Sequence, residues 1–111
     1  MLLLVEDEPT VRSLMKRTLV EEGFRVLEAG DGLEALRVFA SEPEIRLVVS
    51  DVMMPRMNGY ELAARLPPEL PVVFATGFGQ PHTQHTERGP ILTKPIQPEI
   101  LVRAVKAFLH H

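Results

Sequence analysis

Leu2-Leu3-Leu4-Val5-Glu6-Asp7-Glu8-Pro9 decides how the chain folds. Four apolar residues in a row, without alternation, suit a strand covered on both faces; a strand with one wet face would alternate. Three acids then end the run. Pro9 fits the first turn of a helix, where its missing N–H costs nothing. Val11, Leu14, Met15, Thr18 and Leu19 follow at helical spacing and predict one inward face. Gly23 marks the end, as glycine often does just past a helix. Buried strand, polar turn and amphipathic helix together make the first half of a βαβ unit.

The same unit recurs along the chain. Arg25–Ala29 reads as a second strand and Gly30-Asp31-Gly32 as a turn. Asp31 caps a predicted helix over 32–41, with Ala35, Leu36, Phe39 and Ala40 facing inward. Leu47–Ser50 is the third strand, with Asp51 at its carboxyl end. Met53–Gly59 is a loop, and Asn58 caps a short helix over 59–66 that buries Leu62, Ala63 and Leu66. Pro67, Pro68 and Pro71 forbid its continuation. Val72–Ala75 is the fourth strand, followed by Thr76-Gly77. Residues 77–89 are poor helix formers with no apolar stripe, so a loop with at most one irregular turn is expected. Ile91–Thr93 is the fifth strand, Lys94-Pro95 a joint, and Pro98 opens a last helix carrying Leu101, Ala104, Val105 and Phe108. Alternating strands and helices predict an α/β domain with a central parallel sheet and helices on both faces.

The bulk properties narrow the function. At 111 residues the chain is one domain. It has no cysteine, which excludes a disulfide scaffold, a cysteine–zinc site and thiol catalysis. A net charge of -3 creates no field that draws nucleic acid or anionic lipid. No apolar run approaches the roughly 18–20 residues that cross a bilayer, and Met1–Val5 is too short for a secretory signal. The ten prolines are about twice the usual share, yet none falls inside a predicted strand or helix core. His110-His111 read as the start of a purification tag and are set aside.

In such a sheet, ligands bind beyond the carboxyl ends of the strands. The residues at those ends are Glu6, Asp7, Asp51, Thr76 and Lys94. Taken singly each has a bland reading: solvated loop acids, a turn residue, a strand-end hydroxyl, a surface lysine. Jointly they do not. Three clustered carboxylates repel unless a cation joins them, and oxygen-only ligands suit Mg²⁺. A lysine and a hydroxyl on the other side suit a phosphoryl group beside an aspartate nucleophile. Glu8 is assigned to the charge of the first helix's N-terminus rather than to metal. His82 and His85 read as surface histidines, because zinc needs more ligands than this segment has. Met53, Met54 and Met57 read as packing and loop filler.

Four motifs carry a resemblance over essentially the whole chain: Leu3–Pro9, Asp51-Val52-Met53-Met54-Pro55 with Met57-Asn58-Gly59, Ala75-Thr76-Gly77, and Thr93-Lys94-Pro95. The chain resembles the receiver domain of two-component response regulators, CheY-like proteins. The resemblance implies a flavodoxin-like (βα)5 doubly wound fold with five parallel strands in the order 2-1-3-4-5, here with a short or irregular fourth helix. It implies that residues 1–109 are the receiver. Asp51 would accept a phosphoryl group from the phosphohistidine of a histidine kinase or phosphotransfer protein. Glu6, Asp7, Asp51 and the backbone carbonyl of Met53 would hold Mg²⁺. Thr76 and Lys94 would contact the phosphoryl group, a cis bond before Pro95 would aim the lysine inward, and Gly59 matches the glycine after the phosphorylation loop. Phosphorylation and dephosphorylation would be self-catalysed, so the chain would not be an enzyme with an external substrate. It would be cytoplasmic, act by contact with a downstream protein or attached output domain, bind neither nucleic acid nor membrane directly, and self-associate at most as a weak homodimer. Ile91 stands where many members carry Tyr or Phe, and the segment after Thr76 looks most like receivers of hybrid histidine kinases.

Two other classes compete with this one. A haloacid-dehalogenase-type phosphatase also uses an aspartate nucleophile and Mg²⁺. It would place Asp-x-Asp after its first strand, whereas Asp51-Val52-Met53 follows the third. A pseudo-receiver that only binds partners would not need the complete set of acids, hydroxyl and lysine.

Overall fold

A computed structural model describes residues 1–77 and 84–109. In chain order the elements are β1 (Leu2–Val5), α1 (Pro9–Glu21), β2 (Val26–Ala29), α2 (Gly32–Ser41), β3 (Leu47–Asp51), α3 (Gly59–Ala64), β4 (Val72–Thr76), β5 (Gln84–His85), β6 (Pro90–Thr93) and α4 (Pro98–Lys106). The sheet order is β2-β1-β3-β4-β6-β5. The first five positions are parallel, which is the expected 2-1-3-4-5 arrangement. The sixth, a two-residue strand antiparallel to β6, lies inside the segment expected to be a loop. Periodicity could not reveal it, because its strand character comes from pairing Gln84 with Ile91 and His85 with Pro90. The irregular turn and His82 lie outside the described residues, as do the side chain of His85 and His110-His111.

The buried strands divide the core by parity. Leu3, Val5, Val48, Val72 and Phe74 face α2 and α3, meeting Ala35, Leu62 and Ala63. Leu2, Leu4, Leu47, Val49 and Val73 face α1 and α4, meeting Met15, Leu19, Leu101 and Val105. The expected face of α1 is narrower than its spacing implied: Leu14 is 60% exposed. It lies beside an open depression with Val11, Lys94, Pro95 and Ile96, at the edge of the helix's contact with the sheet. Ala40, expected inward on α2, is also exposed. Among the described residues no helix is long and apolar enough to cross a membrane.

The helix starts follow the sequence closely. The Asp31 carboxylate accepts from Glu34 N at 2.8 Å. Asn58 and Glu61 form a reciprocal capping box at 2.8 and 2.9 Å, satisfying two N–H groups that the helix itself cannot. Glu8 caps α1 by accepting from Thr10 N at 3.0 Å, which agrees with its assignment to the helix terminus. β2, β3, β4 and β6 each differ from expectation by one residue, and α3 stops two residues short of the expected helix over 59–66. Pro90 opens β6, a position where a missing N–H is tolerated.

α3 ends at Ala64, and its C-terminus is closed from a distance. The Arg88 guanidinium donates to Ala63 O at 2.5 Å, Pro67 O at 2.8 Å, and Leu70 O at 3.1 and 3.3 Å. Gly89, at φ 155°, follows because a Cβ there would collide with Val72 O. Thr86 Oγ1 accepts from both Arg88 N and Gly89 N at 3.1 Å, tightening the turn. Arg88→Ala leaves three carbonyls without their shared donor and is expected to lower unfolding free energy by about 1–3 kcal/mol. Urea denaturation checks this, with Arg88→Lys expected to recover only part because an ammonium cannot span the same carbonyls.

Candidate functional site

Register alone brings the site together. Val5 lies opposite Ser50, so Glu6 and Asp7 leave β1 level with Asp51 at the end of β3. Asp51 is opposite Ala75, and Thr76 is opposite Thr93 with Lys94 next. Lys94 N donates to Thr76 O at 2.7 Å, which keeps the lysine against the sheet past its last paired residue. The peptide bond between Lys94 and Pro95 is cis, as the resemblance implied.

Glu6, Asp7 and Asp51 each offer an oxygen within 4.8 Å of the others. Glu6 is 1% exposed, Asp51 6% and Thr76 8%, whereas Asp7 faces solvent. The Lys94 ammonium lies between the two buried acids, 2.6 Å from Glu6 Oε1 and 3.3 Å from Asp51 Oδ1. Glu8 N donates to the other Glu6 oxygen at 3.1 Å. Burial and then the charge of Glu6 raise the Asp51 carboxyl to about 6; Lys94 pulls it down without cancelling them. Burial would lower the Lys94 ammonium, but the hydrogen bond and charge of Glu6, then Asp51, outweigh it and hold it above its ordinary value.

The donor set fits a hard divalent cation. All three donors are carboxylate oxygens, and one ammonium is a single charge against three. The Asp51 carboxyl is raised by burial first and by the charge of Glu6 second, and a cation would offset both. The loop after β3 frames this cluster. Gly59 N donates to Val52 O at 2.8 Å, and a Cβ on Gly59 would sit 2.5 Å from Asp51 O, so only glycine lets α3 start against the aspartate backbone. Arg56 takes φ 70° within the loop. Of the three methionines, Met57 is buried and Met54 packs on the core, as expected of filler; Met53 instead exposes its side chain.

Every residue expected at the rim is there. Sequence reading missed Arg12, whose Nη1 donates to Glu6 O at 2.8 Å, and Glu28, 3.4 Å from Arg12 Nε. One lies on α1 and the other on β2. No spacing between them could signal a contact that the fold alone creates.

Residues 2–106 match the family described as "Response regulator receiver domain". The receiver protein CpdR of Brucella abortus (strain 2308) is 30% identical, with 97% of this chain and 95% of that protein covered. The transcriptional regulatory protein GlrR of Escherichia coli (strain K12) is 36% identical over 94% of this chain. The chain spans 25% of GlrR and 50% of the probable transcriptional regulator ycf29 of Pyropia yezoensis, to which it is 35% identical. Among solved structures, the receiver domain of the hybrid histidine kinase CckA is 38% identical with a TM-score of 0.81, covering 98% of both chains.

The Asp51 carboxyl favours folding only while protonated. Its contribution is full below about 3.8, the ordinary value, and is lost as pH rises through about 6. Without metal, Asp51→Asn escapes that loss. Its stability relative to wild type is expected to improve by about 1–2 kcal/mol between pH 4 and pH 7.5, allowing for solvent screening at the rim. Thermal unfolding in EDTA at the two pH values measures it.

Proposed function

The chain belongs to the response regulator receiver domain family of two-component systems, and from that membership we propose that Asp51 is its phosphoacceptor. The support is one arrangement: the Lys94 ammonium held between Glu6 and Asp51, with three carboxylates within 4.8 Å on the same rim. In this reading residues 1–109 are the receiver, and His110-His111 stand outside it.

An Asp51 oxygen attacks the phosphorus of a phosphohistidine. The new O–P bond forms as the P–N bond breaks, and the histidine leaves with the electron pair. Glu6, Asp7, Asp51 and the Met53 carbonyl would hold Mg²⁺. When bound, Mg²⁺ supplies the positive charge that keeps Asp51 ionised and offsets the incoming phosphoryl oxygens. Lys94 is already aimed at Asp51 and pairs with a phosphoryl oxygen, while Glu6 keeps the ammonium from swinging out. The Thr76 hydroxyl, at the end of the neighbouring strand, donates to another. Water attack on the acyl phosphate later restores the carboxylate, so the chain resets itself without turning over an external substrate. The partners are a histidine kinase or phosphotransfer protein upstream and a downstream protein or attached output domain, in the cytoplasm. Any self-association is a weak homodimer.

Incubation with acetyl phosphate and Mg²⁺ should add one phosphoryl group by intact mass. Asp51→Asn or EDTA should abolish the adduct; an adduct persisting on the variant would overturn the assignment.

A further inference from the structure

β1 pairing stops at Val5, yet the chain must hold Glu6 in place for Lys94 and, on the reading above, for a cation. Glu6 N is secured by Ala29 O at 3.1 Å. Its carbonyl lies past the last β3 pair and is taken by Arg12 Nη1 at 2.8 Å. Arg12 is itself held. Its Nε lies 3.4 Å from Glu28 Oε1, and the other oxygen of Glu28 takes Lys16 Nζ at 3.0 Å. A Cβ on Gly30 would sit 3.3 Å from Arg12 Nη1, tighter than most contacts, so the bare glycine leaves room for the guanidinium. The Arg12 side chain is 23% exposed and that of Glu28 32%, so this pair is screened less than an open surface pair.

We infer that Arg12, tethered by Glu28, is a positioning residue for the acidic cluster. It fixes the peptide plane after Glu6 and thereby the directions in which Glu6 and Asp7 present their carboxylates. One guanidinium nitrogen donates to the carbonyl while the same group pairs by charge with the Glu28 carboxylate at 3.4 Å, a two-point contact on a planar group that lysine does not reproduce. Outer partners of this kind set how well a ligand set is prepared for its ion. The inference rests on the metal role proposed above, and concerns ion affinity directly rather than phosphorylation.

Isothermal titration of the full chain with Mg²⁺ tests it. Arg12→Gln is expected to weaken binding by roughly 10-fold, in line with outer-partner substitutions elsewhere. Glu28→Gln should weaken it by about 3-fold, and the double variant should match Arg12→Gln, because Glu28 acts through Arg12. Arg12→Lys should not restore wild-type affinity. Arg17→Gln, which breaks the exposed 3.5 Å pair with Glu21 on the same helix, should change nothing. Metal-free unfolding of each variant separates the roles: lower stability with unchanged Mg²⁺ affinity overturns the inference. Should Arg12→Gln fail to fold, Glu28→Gln decides, and an unchanged affinity there overturns the tether. If Asp7→Asn abolishes binding while Arg12→Gln does not alter it, this inference falls and the metal site stands. If the wild-type chain binds no Mg²⁺, both fall.

Discussion

Three carboxylates crowd one lysine at the rim of a parallel sheet, and the rest of the site is arranged around that imbalance. A parallel sheet places the carboxyl ends of its strands on one edge, so residues far apart in the chain arrive there together. The Glu6–Lys94 contact at 2.6 Å joins the first strand to the last parallel one. It pairs one buried acid, while burial first and the charge of Glu6 second raise the Asp51 carboxyl to about 6. Three carboxylate oxygens within 4.8 Å of one another are also a donor set suited to a small divalent cation.

Holding charged groups so close demands a backbone that does not drift. The core supplies most of this, with β1, β3 and β4 buried along their whole length. The remaining constraints are local. Gly59 brings α3 against the Asp51 backbone, and Gly89 brings the β5–β6 turn against Val72. Arg88 draws that turn, the end of α3 and the connection to β4 into one unit through three carbonyls. Arg12 performs a comparable task at the end of β1, where strand pairing has run out. Both arginines direct their guanidinium groups at backbone oxygens near the ends of regular elements.

Leu14 and Val11 of α1, with Pro95 and Ile96, border a shallow apolar depression beside the ammonium. The exposure of Leu14 departs from its helical spacing.

The chain alone determined the order and type of the elements, the helix caps at Asp31 and Asn58, and the five polar residues of the rim. These are local signals: unbroken apolar runs, caps, and prolines placed at joints. Strand alternation with helices then leaves little freedom in how a parallel sheet is wound, so the rim follows from the order. Tertiary structure decided what depends on neighbours distant in sequence. Gln84–His85 is a strand only because β6 offers it an edge. Leu14 is 60% exposed despite its helical spacing. Arg12 reaches Glu6 and Glu28, and Arg88 reaches Ala63, Pro67 and Leu70, through contacts that exist only after the chain has closed on itself. The ionisation of Asp51 belongs with them, because burial and the approach of Glu6 set it.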